Sequence, residues 1–163
     1  MIRIILFLLI LVLSPGAWAA GTAGEGGGQF TSDDPAYAEA IQAIKAQEFD
    51  RAARLLQDVV DRNPDNIDAL SSLGYANTRL GRYDQAKRRY ARALALQPGH
   101  LGANEYLGEL HVRQGNLAAA VEQLNTVRNI CGQGCEEYQD LARAIAGYRK
   151  TGRFEEHNKG THE

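Results

Sequence analysis

The sequence predicts an all-α fold, an α-α superhelix of three helix pairs closed by a C-terminal capping helix. Three observations carry that expectation. Several residue series recur at an interval of 34 positions. Within each interval the apolar residues follow helical rather than alternating spacing. Beyond the N-terminal segment no alternating run rich in Val, Ile and Thr appears, so strands are not expected. Such a period marks one supersecondary unit repeated along the chain, each unit burying its apolar face on the next.

Residues 1–19 read as a secretory signal peptide. Arg3 is followed by an apolar run from Ile4 to Leu13, then Ser14-Pro15-Gly16 and the small-residue triplet Ala17-Trp18-Ala19. The run is ten residues long, against about 20 for a helix that crosses a bilayer. Cleavage near Ala19 and a periplasmic or secreted location are therefore expected, with no membrane span after cleavage; a retained anchor is the competing reading. No Cys stands at the cleavage point, so a lipoprotein anchor is not supported. The 18 basic and 20 acidic residues are intermixed, for a formal charge of −2. Nucleic-acid partners call for a clustered basic face, which is missing. Residues 20–32 are Gly-rich with Phe30 as their one large apolar side chain, the composition of a flexible leader.

Repeat units are expected at 33–66, 67–100 and 101–134. Pro64, Pro98 and Gly132 stand 34 apart, as do Gly81 and Gly115. Leu73-Gly74 recurs as Leu107-Gly108; Ala52, Ala86 and Ala120 form another series, and Leu56, Tyr90 and Leu124 another. Leu70, Leu73, Ala76 and Leu80 trace one helical stripe, and Ala86, Tyr90, Ala93 and Leu94 the next. Gly81-Arg82 separates the two, since Gly takes the left-handed conformation that ends a helix. Asn63-Pro64-Asp65-Asn66 and Gln97-Pro98-Gly99-His100 stop one pair and open another, because Pro cannot continue the hydrogen-bond ladder.

These residues resemble the tetratricopeptide repeat. The middle unit matches best, through Leu70, Leu73-Gly74, Gly81, Tyr83-Asp84, Ala86, Tyr90, Ala93 and Pro98. The third has Gly132 in place of the closing Pro, and the first has Glu39-Ala40 where the Leu-Gly pair belongs. Asn77 and His111 occupy a position where the family commonly has a large aromatic. Gly74, Gly108, Ala86 and Ala120 are the small residues expected to let helices approach closely.

A further helix is expected over 135–150, with Tyr138, Leu141, Ala142, Ile145 and Tyr148 on one stripe and charge on the other face. It caps the array by covering apolar surface of the last pair. Thr151-Gly152-Arg153-Phe154-Glu155 echoes Leu80-Gly81-Arg82-Tyr83-Asp84, so the cap reads as the first helix of a truncated fourth unit; the rest of 151–163 is a polar tail. The two cysteines, Cys131 and Cys135, flank the junction. An oxidising compartment and two intervening glycines favour a structural disulfide. A redox-active or metal-binding pair and two free thiols are the other readings.

No nucleophile elbow, phosphate-cradling loop or dinucleotide glycine pattern is present. His100, His111, His157 and His162 lack ligand spacing. No catalytic residue, cofactor or metal is expected, and the chain reads as non-catalytic. The resemblance implies a concave face, lined by the first helix of each unit, that takes a peptide or partner segment. Carried over position by position, it names Tyr37, Ile41 and Lys45 in the first unit. In the second it names Asp68, Ser71, Tyr75, Thr78 and Arg79, and in the third Glu105, Glu109, Val112 and Arg113. Arg79 and Arg113 are 34 apart, and either guanidinium can hold a carboxylate bidentately. Tyr37, Ile41 and Ser72 fill places of the family's Lys/Asn clamp for chaperone tails, so that use is not supported. The expectation is a scaffold for a protein partner in the cell envelope, with self-association or a thiol-disulfide role as alternatives.

Overall fold

A computed structural model describes residues 34–155; the signal segment, the leader and most of the polar tail lie outside the described residues. Seven helices follow in order: α1 (Pro35–Lys45), α2 (Phe49–Arg62), α3 (Ile67–Arg79), α4 (Tyr83–Leu96), α5 (Leu101–Arg113), α6 (Leu117–Cys131) and α7 (Glu136–Thr151). Among the described residues there is no strand. None of these helices is long and apolar enough to cross a membrane.

The turn inside each pair is built the same way. Gly81 adopts φ 72° and donates its N–H to the Thr78 carbonyl at 3.1 Å, while Arg82 N–H reaches the Asn77 carbonyl at 2.8 Å. Gly115 and Asn116 repeat both bonds to Val112 and His111, at 2.9 and 2.8 Å. This paired pattern satisfies the last carbonyls of a helix and needs a left-handed residue. In the first pair that residue is Gln47, at φ 59°. Turns between pairs are closed from the other side by side-chain caps. Asn66 Oδ1 accepts from Ala69 N–H at 2.9 Å, and His100 Nδ1 accepts from Ala103 N–H at 3.0 Å.

Tyr90, Leu56, Leu70, Leu73 and Leu110 form the centre of the main core, all essentially without exposure. Gly74 lies under the Tyr90 ring, where a Cβ would come within 2.5 Å of a ring carbon. The equivalent Gly108 is covered from a different direction. Its nearest neighbour is Leu141 of α7, again 2.5 Å from a notional Cβ. Leu141 and Ile145 join Val112 and Ala120 in a second core under the cap, while Leu124, the counterpart of Tyr90, is only half-buried.

The first helices of successive units touch (α1 with α3, α3 with α5, α5 with α7), whereas the backbones of α2, α4 and α6 stay apart and α2 meets α4 through side chains, Arg89 donating to Gln57 Oε1 at 2.8 Å. An array packed closer along one side bends toward it, so the odd-numbered helices line the inner face. Cys131 ends α6 and Cys135 is the N-cap of α7. Their Cα atoms lie 5.9 Å apart and their sulfurs are within bonding distance.

Candidate functional site

The inner face carries a continuous aromatic strip contributed by three units. Tyr75 of α3 meets Phe49 at the start of α2 edge-on, ring centroids 6.2 Å apart, and Tyr106 of α5 at 4.9 Å. Arg79 lies one helical turn beyond Tyr75. Its guanidinium sits 4.2 Å from the Phe49 ring centroid and donates to the Tyr75 hydroxyl at 2.8 Å. Phe49, Tyr75, Arg79 and Tyr106 are all half-buried, so each has packed and exposed surface. Behind them the fully buried Tyr90 ring is 6.5 Å from Tyr106, and its hydroxyl pairs with Thr78 Oγ1 at 3.2 Å. Burial pushes the Tyr90 phenol well above its ordinary range.

Of the residues named from sequence, Tyr37, Ile41, Asp68, Tyr75, Arg79 and Arg113 are half-exposed and Lys45 is exposed. Tyr37 bonds to Ser72, and burial raises its phenol, with that bond opposing and the Asp68 charge adding a little. Five others are buried: Ser71 at 2%, Thr78 at 4%, Glu105 at 4%, Glu109 at 7% and Val112 at 0% exposure. These five were expected on the open face, and their burial corrects that expectation. An inner helix packs on its own pair and on a first helix at either side, so only a narrow stripe stays open. Thr78 Oγ1 bonds inward to the Gly74 carbonyl at 3.0 Å, and Val112 belongs to the core under the cap.

Arg113 does not repeat the role of Arg79. Its guanidinium stacks 3.9 Å from the ring centroid of Phe154, beyond α7. The C-terminal strap thus covers the far end of the inner face and leaves the Tyr75 region as its accessible aromatic centre. Phe49 and Tyr106 were not singled out from sequence. Phe49 stands 34 positions before Tyr83, not in register with Tyr75, and Tyr106 stands 31 rather than 34 positions from Tyr75, so the period did not connect them.

On the outer side, α2 and α4 diverge over α3 and leave a cleft of about 410 Å³ lined by Ala53, Arg54, Gln57, Leu73, Asn77 and Arg82, among others. Asn77 stands at its floor, where a large aromatic would fill the space. His111 holds the same position one unit later. Burial pushes its imidazole below the ordinary 6.5, Lys87 acts in the same direction and Glu122 opposes. Its Nδ1 is buried without a hydrogen-bond partner. Ion pairs join the first unit to the second, Arg82 with Asp50 at 2.8 Å and Arg92 with Asp65 at 2.5 Å. Both are exposed and add little stability.

At the cap, the sulfurs of Cys131 and Cys135 and the Glu137 carboxylate lie within 4.8 Å of one another. Among the described residues this is the only group of three or more metal-type donors that converge.

The comparisons agree with this architecture. The crystal structure of PcrH in complex with the chaperone binding region of PopD superposes with a TM-score of 0.59 at 19% identity, over 71% of this chain and 86% of that one. At that identity the likeness is one of fold. The TPR repeat-containing protein PA4667 of Pseudomonas aeruginosa is 33% identical over 89 residues, 54% of this chain. The match spans 15% of the length of that curated relative. Two family models described as tetratricopeptide repeat match residues 37–86 and 78–145. With helix pairs, left-handed turns and two overlapping matches in agreement, the chain belongs to the tetratricopeptide repeat family.

Proposed function

We propose that this chain is an exported, non-catalytic scaffold that holds a segment of a partner protein on its inner face. The observation that carries this reading is the half-exposed strip of Phe49, Tyr75 and Tyr106 with Arg79 across it. Aromatic rings locked by their neighbours supply contact area at low entropic cost, and a guanidinium beside them adds a directional donor. PcrH, which shares the fold, was crystallised with a region of PopD. That supports a protein ligand without naming this chain's own.

The test is capture of partners from envelope extract by the full chain and by Tyr75→Ala and Arg79→Glu variants. The expected outcome is loss of the same partner with both variants; an unchanged partner set refutes the inner-face assignment. Export is read by fractionation and N-terminal sequencing, with a mature terminus near Ala19 expected and an intact Met1 in the cytoplasmic fraction against it. In the same compartment we assign Cys131 and Cys135 to a disulfide that fixes the angle of α7 on the array. Its loop is short, so its entropic contribution is modest. Mass spectrometry before and after reduction should differ by two hydrogens, and identical masses would remove the assignment.

A further inference from the structure

We propose that the outer cleft between α2 and α4 is a second binding site, one that takes a tyrosine side chain of a partner segment with its hydroxyl turned inward. It lies away from the aromatic strip and does not depend on the inner-face reading.

The space exists because one position of the repeat holds a short side chain. Four residues before each left-handed turn residue the chain carries Ala43, Asn77, His111 and Tyr148. In the cap that position is aromatic. Tyr148 packs against the core under the cap, and its hydroxyl oxygen comes within 2.7 Å of a notional Cβ on Gly115, in the turn of the preceding unit. In the second unit the side chain is Asn77, and the space it leaves toward the preceding unit is the cleft of about 410 Å³. That volume falls within the range of about 300–1,000 Å³ in which proteins hold ligands.

The lining selects the occupant. Ala53 and Leu73 supply apolar surface suited to a ring. Asn77 lines the cleft at 3% exposure, and its side-chain amide makes no hydrogen bond to another described residue. A buried amide without partners is costly, and it offers both a donor and an acceptor. A phenol hydroxyl, itself donor and acceptor, satisfies it, whereas a phenyl ring leaves it unpaired. Gln57 is already engaged, its Nε2 donating to Asp61 at 2.6 Å and its Oε1 accepting from Arg89 at 2.8 Å. At the rim the exposed Arg54, Asp58, Asp61 and Arg82 carry charges of both signs. Such a rim meets the N–H and C=O groups of a peptide on either side of the tyrosine, which a free phenol lacks.

The experiment titrates the full mature chain, isotope-labelled for amide NMR, with N-acetyltyrosinamide, N-acetylphenylalaninamide and p-cresol. The tyrosine probe should move the signals of Ala53, Arg54, Leu73 and the Asn77 side-chain amide. The phenylalanine probe should bind about ten-fold more weakly, the scale of leaving one buried polar group unpaired. Asn77→Ala keeps the cleft and removes the amide, so the preference between the two probes should vanish. Asn77→Tyr fills the cleft from within and should abolish binding of both, with circular dichroism establishing that each variant is folded. No binding of the tyrosine probe, equal affinity for both amides in the parent chain, a preference that survives Asn77→Ala, or shifts confined to Tyr75, Arg79 and Tyr106 overturns the site. p-Cresol binding as tightly as the tyrosine probe overturns a peptide-borne occupant. Without probe, movement of the Asn77 signals on dilution or in Phe30→Ala assigns the cleft to a second copy or to the leader, and equally overturns the proposal.

Discussion

Gln47 occupies the left-handed turn position that Gly81 and Gly115 hold in later units, at φ 59°. A side chain in that conformation costs roughly 1–2 kcal/mol, part of which Gly returns through its freer unfolded state. Gln47→Gly should raise stability by about 1 kcal/mol on that balance, visible as a higher urea midpoint; a lower midpoint would show the turn is not strained. His111 provides the pH-dependent case. Its folded imidazole resists the proton that the unfolded chain accepts, so stability is full above pH 6.5 and declines as the pH falls below that value. Replacing it by Phe removes that dependence and a buried nitrogen without a partner, which should gain about 1 kcal/mol. Urea titrations at pH 5 and 7.5 on both proteins check the sign; parallel shifts in the two would exclude His111 as the titrating group. His100 is placed differently. Nδ1 accepts from a backbone N–H and Nε2 lies 2.8 Å from Asp68 Oδ1, which selects the tautomer with the proton on Nε2.

Helix contacts divide the glycines into those that packing requires and those that it does not. Gly74 faces the rigid, buried Tyr90 ring at a distance no Cβ tolerates. Gly74→Ala should destabilise by about 2 kcal/mol even after the helix-propensity gain. Gly147, in α7, has nothing within 4 Å of a notional Cβ, so Gly147→Ala should stabilise by about 0.5–1 kcal/mol. Thermal melts of the two variants should move in opposite directions, and a shared direction would mean that propensity alone governs both. Much of this level was legible beforehand. The period located Gly74, Gly81 and Gly115, and the echo around Gly152 is real in the backbone, where Gly152 is left-handed at φ 70°. The partner of Gly108 was not legible, because it comes from α7 rather than from its own pair.

Across the whole molecule, the cap closes the array. Leu141 is fully buried against Gly108 and the Val112 core. Leu141→Ala should cost about 2–5 kcal/mol and, by loosening α7, expose the end of the array to self-association. Size-exclusion chromatography with light scattering reads the second effect; a destabilised variant that stays monomeric would confine α7 to a packing role. The primary structure alone determined the repeat length, the helix ends, the turn residues and the capping stripe. The repeat length shows as recurrence at 34 positions, and the others depend on residues a few positions apart, where backbone conformation and apolar spacing act locally. Only the tertiary structure decided which stripe of each inner helix stays open. That choice buried Ser71, Thr78, Glu105, Glu109 and Val112 and brought Phe49, Tyr75 and Tyr106 into one strip. It is set by how far each helix rotates against neighbours from other units, and no local pattern encodes that rotation.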